Sequence, residues 1–181
     1  MTLKQTRNLG ARQATKINHS SLQKILARKK VNPTFIRTVF LNTRDIYNLE
    51  LIRQYFYRTI KVEDLRAMRF LNRHVSEKFN PSVISRRIIL QVLYPFAEKG
   101  DARVIRGALV GMKDSDEINR FEALRSLREL AKHGEGRTVP GLIIGLKDSN
   151  SHNRYIALEG LRDLAEKGNA QAQKALEELG K

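Results

Sequence analysis

Residues 120–134 read RFEALRSLRELAKHG, and residues 154–168 read RYIALEGLRDLAEKG. A third copy, RRIILQVLYPFAEKG, occupies residues 86–100. The copies begin at Arg86, Arg120 and Arg154, 34 residues apart with no gap. Leu90, Leu124 and Leu158 share a column, and so do Leu93, Leu127 and Leu161. Phe96, Leu130 and Leu164 form a third column, followed by Ala97, Ala131 and Ala165. Steps of three and four place these columns on one helix face. Gly100, Gly134 and Gly168 close the segments, where a left-handed C-terminal cap favours glycine. Lys99, Lys132 and Lys167 stand in the last turns, where a cation suits the helix dipole.

The stretches between the copies repeat as well. RGALVGMKDSDEIN ends at Asn119 and PGLIIGLKDSNSHN at Asn153. Gly107 and Gly111, like Gly141 and Gly145, are four apart and share a face that lets a neighbouring helix approach. Lys113-Asp114-Ser115 and Lys147-Asp148-Ser149 then end each short helix and offer caps to the next. The unit is helix, turn, helix. One unit cannot bury its own apolar face, so the expected fold is all-α, a short α-solenoid of stacked units. Residues 171–181, QAQKALEELGK, are more polar and suit a terminal cap. Pro95 falls inside the first long helix, as a kink near its end or as a bend shaping a groove.

Upstream the chain changes character. Of 34 Lys and Arg and 19 Asp and Glu, residues 1–85 hold 17 basic and 5 acidic side chains, or +12. Residues 86–181 hold 17 and 14, or +3. Residues 1–44 carry ten basic side chains and no acidic one. The expected organisation is an extended basic arm, 1–44, that orders on binding, and a helical repeat domain, 45–181, with clear units from 86. Residues 1–21 are too polar to fold alone. Short helices are expected over 20–30, 33–43, 42–60 and 62–79. Eight of the twelve aromatic residues lie within 1–85, interleaved with arginines. That mixture suits stacking on bases, a protein interface, or simply a core.

Several chemistries are excluded or unmarked. Zero cysteines rule out disulfides, thiolate metal sites and Cys nucleophiles. No apolar run reaches the ~18–20 residues that span a bilayer. No secretory signal is expected, although an Arg-rich start also suits an organelle transit peptide. No GxSxG, GxxxxGK[ST] or GxGxxG occurs. His19, His74, His133 and His152 are scattered, without metal-ligand spacing. The expectation is a non-enzyme with no catalytic, cofactor or metal residues. Asp114, Asp116 and Glu117 fall in a turn and are expected to cap and to be solvated.

The pattern R-x-x-A-L-x-x-L-x-x-L-A-x-x-G, followed by x-x-L-x-x-x-L-K-D, resembles the short HEAT-like repeat of phycobilisome lyase subunits and related cyanobacterial proteins. The resemblance covers residues 86–181, and 52–85 weakly. Tetratricopeptide repeats share the period, but their Trp/Leu-Gly/Tyr signature is absent. The resemblance implies a basic linker or scaffold that holds acidic protein subunits together in a hetero-complex. Phycobiliproteins of a photosynthetic antenna are the implied subunits, in the cytoplasm on the cytoplasmic face of the membrane. No cofactor belongs to the chain itself; its contact is with a bilin held by a partner. A second function it implies is an accessory subunit of a bilin lyase.

Charge alone offers another reading, a nucleic-acid or ribosome binder dominated by phosphate contacts. In either case the expected partner-binding residues of the arm are Lys4, Arg7, Arg12, Lys16, Lys24, Arg28, Lys29, Lys30, Phe35, Arg37 and Arg44. Arg86, Arg120 and Arg154 form a column that serves either as a basic rail or as the partner of carboxylates in the preceding turn, such as Asp116 or Glu117.

Overall fold

The computed structural model describes residues 19–26, 46–60, 65–76, 78 and 82–180. Among them every regular element is helical, and no strand occurs. The chain divides into two compact units, Met1–Ile60 and Lys61–Lys181. The helix expected over 33–43 lies outside the described residues.

In the first unit, α1 is His19–Leu26 and α2 is Ile46–Thr59. Leu49, Ile52 and Phe56 recur at helical spacing and bury the inner stripe of α2. Leu22 of α1 is 0% exposed, and α1 packs on α2. A short helix is expected over 20–30, and α1 covers its first part: the apolar edge at Leu22 finds the apolar stripe of α2 to cover. Helix α2 therefore shares a unit with part of the expected arm.

The second unit opens with α3, Leu65–His74. Three long helices come next: α4, Val83–Glu98; α6, Glu117–Lys132; and α8, Ser151–Glu166. Between them stand α5, Ile105–Gly111, and α7, Val139–Gly145, and the last element is α9, Ala170–Leu179. A single 3₁₀ turn, Ala102–Val104 or Gly136–Thr138, leads into α5 and α7. Helix α4 packs along α6 and α6 along α8, while α5 lies on α6, α7 on α8 and α9 on α8.

Packing obeys the repeat. Leu90, Leu93, Ala97, Leu124, Leu127, Leu130, Ala131, Leu161 and Leu164 are completely buried. Leu158 and Ala165, in the last copy, are only half-buried. The register puts Leu179 where Gly111 and Gly145 stand, and Leu179 is 54% exposed. Pro95 sits in the last turn of α4, which runs uninterrupted to Glu98.

Each long helix stops in the same way. Gly100, Gly134 and Gly168 have φ of 73°, 80° and 80°. Their amides donate to Ala97, Ala131 and Ala165, while the amides of Asp101, Glu135 and Asn169 reach back to Phe96, Leu130 and Leu164. That pair of bonds is the Schellman closure, and glycine supplies the left-handed residue it needs. The paired glycines of the short helices meet the long ones as expected. A Cβ on Gly145 would stand 2.6 Å from Leu124 Cδ2 and 2.8 Å from Ala157 Cβ. On Gly111 it would meet Leu90 Cδ2 at 2.9 Å and Ala123 Cβ at 3.0 Å.

Polar rungs join successive units. Arg86 Nε donates to Asp114 Oδ2 at 2.6 Å and Nη2 to Oδ1 at 3.0 Å, with side chains 2% and 1% exposed. Arg120 grips Asp148 in the same way, at 2.7 and 3.1 Å. Asn119 Nδ2 donates to the Val83 carbonyl at 3.1 Å, and Asn153 Nδ2 to that of Glu117 at 3.2 Å. Each arginine thus takes the aspartate of the turn before the next long helix, 28 residues on, rather than a carboxylate of the turn before its own helix. The reason is local. Asp116 is committed to capping α6, where it accepts from the Asn119 amide, and it also pairs with Arg87.

Burial by itself pushes the Asp114 carboxyl up. The Arg86 guanidinium, the Asp116 amide and the Asn119 side chain outweigh it and hold the group below its ordinary 3.8. Asp148 is lowered for the same reasons, with burial opposing and Arg120 and the Asn150 amide prevailing. A depressed native pKa contributes stability at pH values above the unfolded pKa, and that stability is lost as pH falls through the native one. Acid titration followed by far-UV circular dichroism is expected to show stability falling below about pH 4, less steeply in Asp114→Asn. Asp114→Ala leaves a buried guanidinium unpaired and is expected to cost about 3–5 kcal/mol in urea unfolding. Replacing both partners, Arg86→Met with Asp114→Leu, costs less than that single change. Gly145→Ala is expected to destabilise by about 1–3 kcal/mol, although alanine is the better helix former by ~1 kcal/mol.

Candidate functional site

The second unit holds an open groove of ≈ 850 Å³ along the short-helix side. Val75 and Ser76, just after α3, line one end. Arg103, Arg106, Leu109, Val110 and Lys113 come from α5 and its flanks, and Arg137, Pro140 and Ile144 from α7 and its flanks. None of the long helices lines it, so Pro95 of α4 does not shape this groove.

The floor and the rim have different chemistry. Leu109 and Val110 are half-buried, and Ile144 is 44% exposed. Ile143 beside it is exposed too. Ile143 and Ile144 turn outward because the glycines occupy the inner face of the same short helix, whereas Leu109 leans over Gly141, its Cδ2 2.7 Å from where a Cβ there would stand. On the rim, two arginines are clipped by the cap of their own helix. Asp101 accepts from the Arg103 amide at 3.1 Å and from Arg103 Nε at 2.8 Å. Glu135 accepts from the Arg137 amide at 3.2 Å, from Nε at 2.9 Å and from Nη2 at 2.7 Å. The bond from Arg103 holds the Asp101 carboxyl below its ordinary range despite burial, and Arg137 does the same for Glu135. These pairs orient two guanidiniums and are close to neutral.

Arg106 and Lys113 differ. Both are exposed, and no carboxylate among the described residues pairs with either. They are seven residues apart, close to two helical turns, and so present charge along one side of the groove. Lys147 repeats Lys113 one unit later and is also exposed. Cations beside outward-facing aliphatic side chains can attract an acidic segment and hold an apolar anchor from it.

The sequence-expected site residues fall elsewhere. Lys24 is exposed on α1. Lys4, Arg7, Arg12, Lys16, Arg28, Lys29, Lys30, Phe35, Arg37 and Arg44 lie outside the described residues. Arg86 is a correction: its side chain is buried against Asp114, which leaves no surface for a partner. Arg120 is half-buried and holds Asp148, the carbonyls of Asp114 and Ser115, and the Ser149 hydroxyl. Arg154 alone of the column is exposed. The column is thus mostly a structural rung set rather than a continuous rail.

Other titratable groups are engaged in structure. His133 Nε2 lies 2.9 Å from the Glu98 carbonyl at the end of α4. His74 is buried, with Nδ1 2.8 Å from the Phe70 carbonyl. His152 is exposed and stacks between Phe121 and Tyr155. Among the described residues no cluster of three His, Cys, Asp or Glu is placed to hold a metal ion, and no helix is long and apolar enough to cross a membrane.

Arg106 and Lys113 were not singled out from the sequence. Their signal was the 34-residue register, which repeats Lys-Asp-Ser after each short helix, with a cation seven residues earlier in the first copy only. No family model matches the chain, and no curated protein matches it. If the two cations serve the surface and not the fold, Arg106→Glu with Lys113→Glu is expected to shift Tm by less than about 2 °C, checked by thermal unfolding at moderate salt.

Proposed function

We propose that this chain is a non-catalytic HEAT-like repeat scaffold that binds acidic protein subunits. The observation that carries the reading is the groove, where Arg106 and Lys113 meet no carboxylate among the described residues and stand beside Leu109, Val110 and the exposed Ile144. The side-by-side packing of α4, α6 and α8 at a constant repeat supports a stacked-repeat, solenoid body. The ten basic and no acidic residues of 1–44 support an arm that adds electrostatic reach and orders on its partner. In this reading the protein works inside a hetero-complex. The family resemblance supplies the setting: phycobiliproteins as the acidic subunits, any bilin held by them, and the cytoplasmic face of a photosynthetic membrane.

A groove with an aliphatic floor favours a protein over nucleic acid, because phosphate recognition needs cations without apolar anchors. Phycobiliprotein and a short mixed-sequence DNA duplex, each titrated with the full chain, separate the two. The expected result is binding to the protein, weakened about tenfold or more by Arg106→Glu with Lys113→Glu, mainly through slower association. Preference for the duplex, with affinity falling about 10³-fold or more from about 50 to about 200 mM salt, would instead make this a phosphate-backbone binder.

A further inference from the structure

The groove wall made by α5 and the turn after it carries a pattern that the other short helices do not repeat. Arg106, Leu109, Val110 and Lys113 follow one another at steps of three, one and three, so they share one face, with a cation at each end and the aliphatic pair between. All four line the groove. Arg106 and Lys113 are exposed and meet no carboxylate among the described residues, while Leu109 and Val110 are half-buried. At 1.5 Å of rise per residue the two cations are rooted about 10 Å apart. Across the groove α7 presents Ile144, 44% exposed, beside Pro140. The nearby carboxylates are already engaged: Asp114 by Arg86, Asp101 by Arg103 and Glu135 by Arg137.

The 34-residue register shows that the pattern is not merely periodic. In α7 and its turn the same four places hold Pro140, Ile143, Ile144 and Lys147, so one end has no charge. In α9 the first three hold Lys174, Glu177 and Glu178, and two acids replace the aliphatic pair. Of these three helices only α5 joins two cations to an aliphatic centre. Its complement is an acid, an aliphatic side chain and a second acid on one face of a partner segment. An extended chain puts every second residue on one face, at about 3.3 Å per residue. The order acid-x-aliphatic-x-acid then spans about 13 Å, and the flexible stems of Arg106 and Lys113 take up the difference. A groove walled by α5 and α7 admits such a protruding segment rather than a flat surface.

We propose that the groove recognises one short extended segment of an acidic protein partner, in which an aliphatic residue stands midway between two acids four apart. Arg106 and Lys113 take the acids, and Val110 with Ile144 takes the aliphatic side chain. The proposal rests on the scaffold reading and adds the form and order of what is bound. The test titrates the full chain into a peptide with the core Asp-Ser-Leu-Ser-Asp, labelled with an uncharged dye and followed by fluorescence anisotropy at low salt. One peptide is expected to bind per chain. Serine in place of the peptide's leucine is expected to weaken binding about tenfold. Asp-Asp-Ser-Ser-Leu, of the same composition, is expected to bind about threefold or more less tightly. Arg106→Glu with Lys113→Glu is expected to abolish binding, and Ile144→Ser to weaken the ordered peptide while leaving the leucine-free one unchanged. Equal binding of the ordered and reordered peptides overturns the proposal, because charge attraction without register then accounts for it. Displacement of the peptide by a DNA strand of equal charge as readily as by unlabelled peptide overturns it too. So does failure of the ordered peptide to bind; if phycobiliprotein then binds the full chain and loses that binding with the two groove substitutions, the scaffold reading stands with a different recognition element. Order-dependent peptide binding without any binding of phycobiliprotein supports the proposal and overturns the scaffold reading for that partner alone.

Discussion

A guanidinium and a carboxylate cannot be removed from water separately at tolerable cost, and the geometry around Arg86 and Asp114 is set by that limit. The pair is buried only because each charge is answered at two points and the second carboxylate oxygen also accepts from Asn119. Meeting those demands fixes the distance and angle between α4 and the turn that starts α6. Apolar columns alone would let the helices slide by a turn, since Leu and Ala repeat along them. The rung removes that freedom, because a shift of one turn would strand both charges. Arg120 with Asp148 applies the same constraint to the next pair of helices.

That constraint is also why the short helices are built around glycine. Once the long helices are locked at the spacing the rungs demand, little room is left over Leu90 and Leu124. Gly111 and Gly145 fill it with backbone. The helix face opposite the glycines then carries Ile143 and Ile144 outward, with Val110 half-buried and Leu109 leaning over Gly141. The groove is therefore a by-product of how the repeat closes. Its charge is not: Arg106 stands where the next unit has Pro140, and so belongs to one unit alone.

The helical class, the repeat boundaries, the glycine caps and the close-approach glycines were legible because each depends on residues near one another in sequence or at a fixed period. The arginine column was legible as a column but not in its role. Its partner lies 28 residues onward, and nothing in local spacing separates that aspartate from Asp116, which is as close to a matching turn. The groove was less legible still. It is assembled from three elements of three successive units, and its two decisive cations look, in sequence, like any exposed Arg and Lys. In the first unit, α1 was visible as an amphipathic stretch, but its docking on α2 through Leu22 depends on a contact that no repeat announces.

Charge counts therefore need to be read after pairing. The last 96 residues hold 17 basic against 14 acidic side chains, which looks nearly balanced. The acids are not spread to match. Asp114 and Asp148 are spent on the rungs, Asp101 and Glu135 on the caps and their own arginines, and Glu122 and Glu159 on Arg125 and Arg162 along the long helices. Arg106 and Lys113 on the groove side and Arg154 at the last rung are left without a carboxylate partner among the described residues. A modest net charge thus hides locally uncompensated positive charge, some of it beside the exposed Ile144 and Tyr155. An approaching acidic surface responds to that local field, not to the sum over the chain.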